Sequence, residues 1–463
     1  MSKPNAVSSF EVTQCTLVSY VNSATIDITK MWDSIEIYED MYTNCLSGQI
    51  EILDSLNLLY HFSICGREKL ILSFSVPLVD GGSGRTNITR TFRVYKISER
   101  APLPNDKALR YTLHLVSEEF IKSQQTKISK AFEGTVEQMV TTIYNDYLKV
   151  DYGTYENQKP LQTDKTLHNH RFIIPYWSPL SAINWLAARG VSLDNRDNCN
   201  FVFYEDLRGF QFRSFSNLAI ASAKPVAQYE YYPTNRSSDG EVANRNLQRE
   251  YETIQDFLMM EYHNTMKNIE NGFFSSRLLT HDIVRKKWGF TDYSYGSQFF
   301  DQDHVHERPL IAPGNDDLSD KNWSYFKYYP KHTGLVGHEP SLQDNDRYSE
   351  WVLKRNSQMQ QIEGCQLQII VPGDSSLRIG SVVNITIPSF EEKNNEYQDW
   401  LDKYMSGKYI VSAIRHRLVS TKDYIMRIEL TRDSLPSALP DAKILQIRDW
   451  PSQGDFFTEV VKA

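Results

Sequence analysis

The residues best placed to do chemistry lie in Asp301-Gln302-Asp303-His304-Val305-His306-Glu307. On a strand, His304 and His306 would face one side, and Asp303 or Glu307 could complete a metal shell of nitrogen and oxygen donors. No further ligand is placed by the sequence, and the run sits in a polar, proline-punctuated stretch, so solvated loop histidines are the plainer reading. His168-Asn169-His170 has the look of a nuclease motif without the helix or metal context that chemistry needs, and it reads as polar loop. Glu51 and Asp54 could be imagined as a glycosidase pair, which requires two carboxylates across a cleft. Glu51, however, alternates with Ile50 and Ile52, which makes it the wet face of a strand. Neither Gly-x-Ser-x-Gly nor Cys-Gly-x-Cys-Trp occurs, so the nucleophile contexts are missing. Asp80-Gly81-Gly82-Ser83-Gly84-Arg85 is glycine-rich, but no Lys-Ser/Thr follows and no helix opens, so it reads as a hairpin tip rather than a phosphate cradle. His416, between Arg415 and Arg417, reads as a partly exposed strand residue. The five cysteines (Cys15, Cys45, Cys65, Cys199, Cys365) are scattered without metal spacing and read as reduced core residues. The expectation is no catalytic residue, no metal and no cofactor.

The elements that carry these residues are mostly strands. In Gly407–Arg432, Tyr409, Val411 and Ala413 alternate with Lys408, Ile410 and Ser412, and Tyr424, Met426, Ile428 and Leu430 alternate with Ile425, Arg427 and Glu429. A period of two on both sides of Ser420-Thr421-Lys422-Asp423 predicts a long antiparallel hairpin with one buried face. Its expected core is Tyr409, Val411, Tyr424, Met426 and Ile428.

The same phrase occurs earlier. Gly48–Leu53 answers Gly364–Ile370, and Gly66–Pro77 answers Gly380–Pro388, with Gly before and Pro after in both. Thr91–Ile97 answers Tyr409–Ile414, and Tyr111–Leu115 answers Tyr424–Ile428. The match is one of pattern, and it predicts an internal duplication. The fold class expected is mainly β with α+β insertions: two tube-like antiparallel β-barrel domains related by duplication, plus peripheral insertion domains.

In order, residues 1–120 form the first barrel, with extra strands in Leu17–Asp27 and Asp33–Tyr42. Residues 121–222 form an α+β insertion. Within it, Thr135 and Gln138 make a capping box ahead of Val136, Met139, Val140, Ile143, Tyr144 and Tyr147 at helical spacing. A second helix starts at Ser178-Pro179 and stops at Gly190, and Phe201–Arg213 forms an aromatic hairpin. Residues 223–270 and 348–435 form the second barrel; Ile254–Tyr262 fits strand or helix, and a helix covers about Trp351–Gln361. Residues 271–347 are a peripheral insertion whose part from 303 on is polar and expected to have little regular structure. Residues 436–463 are an extended tail whose apolar end, Phe456, Phe457, Val460 and Val461, is suited to binding a partner.

Composition bounds the function. The 463 residues are 40% hydrophobic and 12% aromatic, ample for several cores, and the net charge of −8 shows no basic patch for gripping nucleic acid. Met1-Ser2-Lys3-Pro4-Asn5 opens no signal core, and no run nears the ~20 apolar residues of a membrane span, so no membrane anchor is expected.

Taken together, these stretches resemble the central hub protein of contractile phage baseplates, a fold shared with the N-terminal part of the type VI secretion spike protein. The resemblance rests on Gly66–Pro77 with Phe92–Ile97 and Tyr111–Leu115; on Ile174-Pro175-Tyr176-Trp177 with the Phe201–Phe212 hairpin; on Asn271-Gly272-Phe273-Phe274-Ser275-Ser276 with Thr280 and Asp282; and on Leu377-Arg378-Ile379-Gly380 through Gly407–Val411 to Tyr424–Leu430. It covers most of 48–432 in the family's order. It implies a homotrimer whose six barrels let a threefold ring dock on a sixfold tail tube or tube initiator. It also implies a central spike protein with an OB-fold below, met by Phe456–Val461, and wedge and tape measure proteins as further neighbours. DNA would pass only in transit through the channel, and an acidic inner wall would suit that. The place implied is the virion tail baseplate, assembled in the host cytoplasm. The rival readings are a tail-associated cell-wall hydrolase and a peripheral baseplate or fibre-attachment protein.

Overall fold

The computed structural model describes residues 8–77, 85–103, 108–153, 158–221, 224–231, 251–283, 285–310, 325–331, 346–389, 401–421 and 423–437. The tail residues Phe456, Phe457, Val460 and Val461, and the glycine-rich tip at 80–84, lie outside them.

Alternating apolar residues build one 14-stranded sheet. The strands of its N-terminal part are β1 (Glu11–Val18), β2 (Trp32–Asp40), β3 (Ser47–Asp54), β4 (Lys69–Pro77), β5 (Arg85–Pro102) and β6 (Leu109–Ser117). They lie in the order β2–β3–β6–β5–β4–β1. An insertion follows, with β7 (Ile128–Gly134) paired to β8 (His170–Trp177), and the hairpin of β9 (Phe201–Asp206) and β10 (Gly209–Ser214). Next come β11 (Ala227–Tyr231) and β12 (Asp256–Tyr262). A separate three-stranded sheet has β13 (Ser275–Asp282) between β14 (Lys287–Ser294) and β15 (Tyr325–Lys331). The last strands are β16 (Cys365–Pro372), β17 (Val382–Thr386), β18 (Gly407–Val419) and β19 (Asp423–Thr431). With β11 and β12 they lie in the order β12–β16–β19–β18–β17–β11.

The two orders are the same phrase. β3–β6–β5–β4 corresponds to β16–β19–β18–β17, flanked by β2 or β12 on one side and β1 or β11 on the other. The registers agree in detail. Val94 pairs with Leu115 and Lys96 with His114, leaving Tyr95 as a bulge; Val411 pairs with Leu430 and Ala413 with Glu429, leaving Ser412 as a bulge. Val94 N donates to Glu68 O at 2.9 Å, and Val411 N donates to Ser381 O at 3.0 Å. Gly66 and Gly380, just ahead of β4 and β17, have φ +82° and +79°, a backbone region that costs glycine nothing and other residues strain. A bulge of fixed position in both copies is a built feature rather than a defect. The difference is at the flank, where β1 is antiparallel to β4 and β11 is parallel to β17.

One continuous core lies under both arrays, from Ile35, Ile37, Ile50 and Leu113 to Leu367, Ile369, Ile414 and Ile428. The insertion has its own core around α1 (Val136–Ile143) and α2 (Pro179–Ala187). Of the Thr135–Gln138 capping box, the return arm is formed, Thr135 N donating to Gln138 Oε1 at 3.2 Å, and Ser178 caps α2 ahead of Pro179. α3 (Tyr348–Glu363) packs Trp351, Val352 and Leu353 against Phe273, Leu278 and Tyr293, behind the three-stranded sheet. That sheet departs from the expectation of little regular structure beyond 303. The run Tyr325-Phe326-Lys327-Tyr328-Tyr329 alternates exposed and half-buried residues and pairs in parallel along β13. Asp256–Tyr262, which fitted either element, is a strand paired with β16.

Candidate assembly interface

The sequence-predicted hairpin core is buried: Tyr409, Val411, Tyr424, Met426 and Ile428 are each 0% exposed. These residues hold β18 and β19 flat against the core. That leaves the opposite side of the sheet open.

Only the first four residues of β18 pair with β17; beyond the Ser412 bulge the same edge meets β2. Ala413↔Asp40 through Val419↔Ser34 are antiparallel partners, so the two arrays join edge to edge. Met41 N donates to Ser412 O at 2.9 Å, and Ser420 N donates to Asp33 O at 2.8 Å, closing both ends of the seam.

Polar groups fix this seam from both sides. Beneath it, His416 Nε2 lies 2.6 Å from Glu39 Oε1, and Nδ1 lies 2.7 Å from the Tyr424 hydroxyl. Glu39 also accepts from Leu207 N at 3.2 Å, tying the insertion to the seam. His416 is 0% exposed, which corrects the expectation of a partly exposed residue. The signal was present in the register: Ile414, His416 and Leu418 share the inward face, as do Ile35, Ile37 and Glu39. A carboxylate and an imidazole at apolar positions of adjacent strands satisfy each other. On the open face, Arg415 grips Glu36 through two bonds, of 2.6 and 3.1 Å. Burial opposes the ionised form of Glu36, but hydrogen bonds from Arg415 and Tyr38 and the guanidinium charge outweigh it and hold the carboxyl below its ordinary range. The same bond raises Arg415.

The rest of the open face is balanced in charge. Glu36, Asp40, Glu51 and Glu429 stand among Arg110, Arg415, Arg417 and Arg427. Arg110 pairs with Glu51, and Arg417 lies 3.6 Å from Glu36. Cross-strand pairs thus offset carboxylates on this face.

The other chemistry candidates have structural employment. Glu51 accepts from Ser34, while Asp54 is buried and accepts from Leu56 N and Leu58 N at 2.9 and 2.7 Å. His168 bonds Glu350 at 2.8 Å, and His170 stacks on Phe172. His304 and His306 do not share a strand. His304 stacks on Phe299 and bonds Asp433 at 2.8 Å; although burial lowers its basicity, Asp433 raises it above the ordinary histidine value. His306 Nε2 sits 3.1 Å from Lys408 N, and burial, then the Arg432 charge, pushes it down to about 4. The pair clips the 299–306 segment onto the ends of β18 and β19. Among the described residues no cluster of His, Cys, Asp and Glu could hold a metal ion.

Sequence reasoning missed one carboxylate pair. Lys159 Nζ lies 2.7 Å from both Glu119 and Glu205, and all three are buried. Burial raises Glu205. With the side chains of both carboxylates 0% exposed, this is a tie between helix, loop and hairpin, and a polymer chain cannot reach it. A second missed feature is aromatic. Trp288, Phe290, Phe326 and Tyr328 stand 48–63% exposed on the outer face of the three-stranded sheet, with His281 stacked on Trp288 at 3.9 Å.

The chain is thus a repeated strand array joined edge to edge and carrying insertions, and this fold is shared with phage tail proteins. The tail protein from Neisseria meningitidis MC58 shares the fold, with a TM-score of 0.50 over 92% of this chain and 97% of that one, at 11% identity. A 43 kDa tail protein of prophage MuSo2 from Shewanella oneidensis aligns over 91% of this chain and 98% of its own, with a TM-score of 0.48 and 10% identity. No family model matches. Among curated proteins, the chain is similar to the probable baseplate hub protein of Vibrio phage KVP40, 22% identical over 452 residues, which are 94% of this chain and 97% of that protein. The resemblance read from most of residues 48–432 thus has a curated counterpart. Among the described residues no helix is long and apolar enough to cross a membrane.

Proposed function

We propose that this chain is a structural, non-enzymatic hub of a contractile-tail baseplate, a homotrimer that adapts a hexameric tail tube to a trimeric central spike. The observation that carries this reading is the duplicated array. A threefold ring can present six like surfaces only if each subunit carries two, and here two arrays share strand order, bulge and glycine turn. Residues 1–120, and 223–270 with 348–435, supply those surfaces. Residues 121–222 and 271–347 are peripheral, and 436–463 reaches the spike through Phe456, Phe457, Val460 and Val461. The balanced open face suits a channel wall: guanidinia already bonded to carboxylates offer a passing polyanion few counterions to release.

Light scattering of the full chain with its spike is expected to give three times 53.8 kDa plus the spike. A chain that stays monomeric beside its spike contradicts the reading. Peptidoglycan zymography of the same sample is expected to be blank, and a cleared band would favour the hydrolase.

A further inference from the structure

We propose that the cavity between the start of β5, the β9–β10 turn and the chain leading into β17 binds a small multivalent oxyanion of the phosphate class, held by Arg208 and Arg378. The inference does not depend on the hub reading. The cavity, of about 230 Å³, is bounded by residues 86–90 of β5, by Leu207 and Arg208 of the turn, by Ser375 and Arg378, and by Glu39 of β2. It lies where the first array, the 121–222 insertion and the second array meet. A water's share of liquid volume is about 30 Å³, and pockets for drug-sized ligands span about 300–1,000 Å³. The space therefore suits a small anion with a few waters and is too small for a nucleotide or a glycan.

Three guanidinium groups line this space against one carboxylate. Arg90 is employed within the chain: Nη1 donates to Thr89 O at 2.6 Å and Nη2 donates to Leu207 O, which fixes the turn to β5. Arg208 and Arg378 are not. Neither side chain hydrogen-bonds to a described residue, and the Nε of Arg378 is buried. The Ser375 hydroxyl, on a buried residue lining the same space, also has no partner among the described residues. A buried donor without an acceptor carries its full desolvation penalty, which a ligand oxygen would remove. The carboxylates nearby are already taken. Glu39 accepts from Leu207 N at 3.2 Å and bonds His416 Nε2 at 2.6 Å. Asp206 accepts from Arg208 N and Gly209 N at 2.7 and 2.9 Å, and Glu205 is paired with Lys159.

The electrostatics agree. Burial lowers Arg378; Asp206 and Glu39 offset this in part, and the Arg208 charge works against them. Burial likewise lowers Arg90. Guanidinium groups held in mutual repulsion beside an enclosed space form a recess for an anion, and their planar forks match an oxyanion through paired hydrogen bonds. An oxyanion here would bridge Arg208 of the insertion to Arg378 of the second array. A ligand that binds the folded chain alone stabilises it by mass action, so the bridge would hold the three parts of the molecule together.

The test is isothermal titration calorimetry of the full chain with inorganic phosphate at neutral pH and constant ionic strength. Saturable one-to-one binding is expected, with sulfate competing and chloride not. Arg208→Gln and Arg378→Gln should each weaken it about 10–100-fold, the loss of a hydrogen bond between charged groups. Arg196→Gln, at an exposed arginine elsewhere in the insertion, should leave it unchanged. Arg208 is exposed on a turn, so its variant decides the matter even where Arg378→Gln fails to fold. Thermal melts should show a Tm that rises with phosphate and levels off in wild type, and no such rise in Arg208→Gln. No saturable heat at millimolar phosphate, or an Arg208→Gln chain that binds as tightly as wild type, would overturn the proposal. Acetate binding as tightly as phosphate would also overturn it, by making the recess a carboxylate site. None of these outcomes touches the hub reading.

Discussion

At the scale of residues, the seam between the two arrays is held by groups whose removal has calculable consequences. His416→Ala strips a partner from both Glu39 and the Tyr424 hydroxyl in a fully buried place. An orphaned buried polar group costs about 1–3 kcal/mol, so urea unfolding should show a loss of about 3 kcal/mol. A loss within the scatter of surface substitutions, about 0.5 kcal/mol, would mean that the triad is not satisfied as described. Glu36 makes a second prediction through pH. Its carboxyl is held below the ordinary value in the folded chain, so its stabilisation is present above the unfolded pKa and is lost as pH falls through the folded one. Glu36→Gln should therefore be destabilised relative to wild type at neutral pH, with the gap narrowing in acid. A gap that is constant with pH would contradict the pairing with Arg415.

At the scale of elements, the clip between the 299–306 segment and the ends of β18 and β19 carries two opposed titrations. The lowered His306 stays neutral while its unfolded counterpart protonates at about 6.5, so its contribution falls as pH drops from there toward about 4. The raised His304 contributes fully below the unfolded value and loses its contribution as pH rises through the folded one. The Tm difference between wild type and His306→Asn should accordingly shrink on acidification, and a difference that grows would contradict the clip. Elements are also where the sequence was most legible, for physical reasons. The hairpin Gly407–Arg432 and both insertion helices follow from period and caps, which are local properties. Tyr325–Lys331 was not legible as a strand, because its partner β13 lies far away in sequence and lysines and a proline dilute its alternation. Asp256–Tyr262 was ambiguous because Leu258, Met259 and Met260 are apolar on both faces, as suits an edge strand. His416 was misread because its charged neighbours Arg415 and Arg417 masked its inward register. The seam itself is a long-range pairing between polar-faced strands, and no local pattern encodes it.

At the scale of the whole molecule, the design is geometric. Two copies of one array, joined at β18–β2, give the chain two like surfaces. The 121–222 insertion hangs from the buried side through Glu39–Leu207 and through Glu205, which accepts from Leu46 N at 2.9 Å. In the proposed ring this open face lines the channel. The most direct measurement is electron cryomicroscopy of the full chain assembled with its spike. The account predicts a threefold ring in which six similar arrays alternate around one channel. A ring with only three such arrays lining it, or a second array of each chain turned away from the channel, would contradict it.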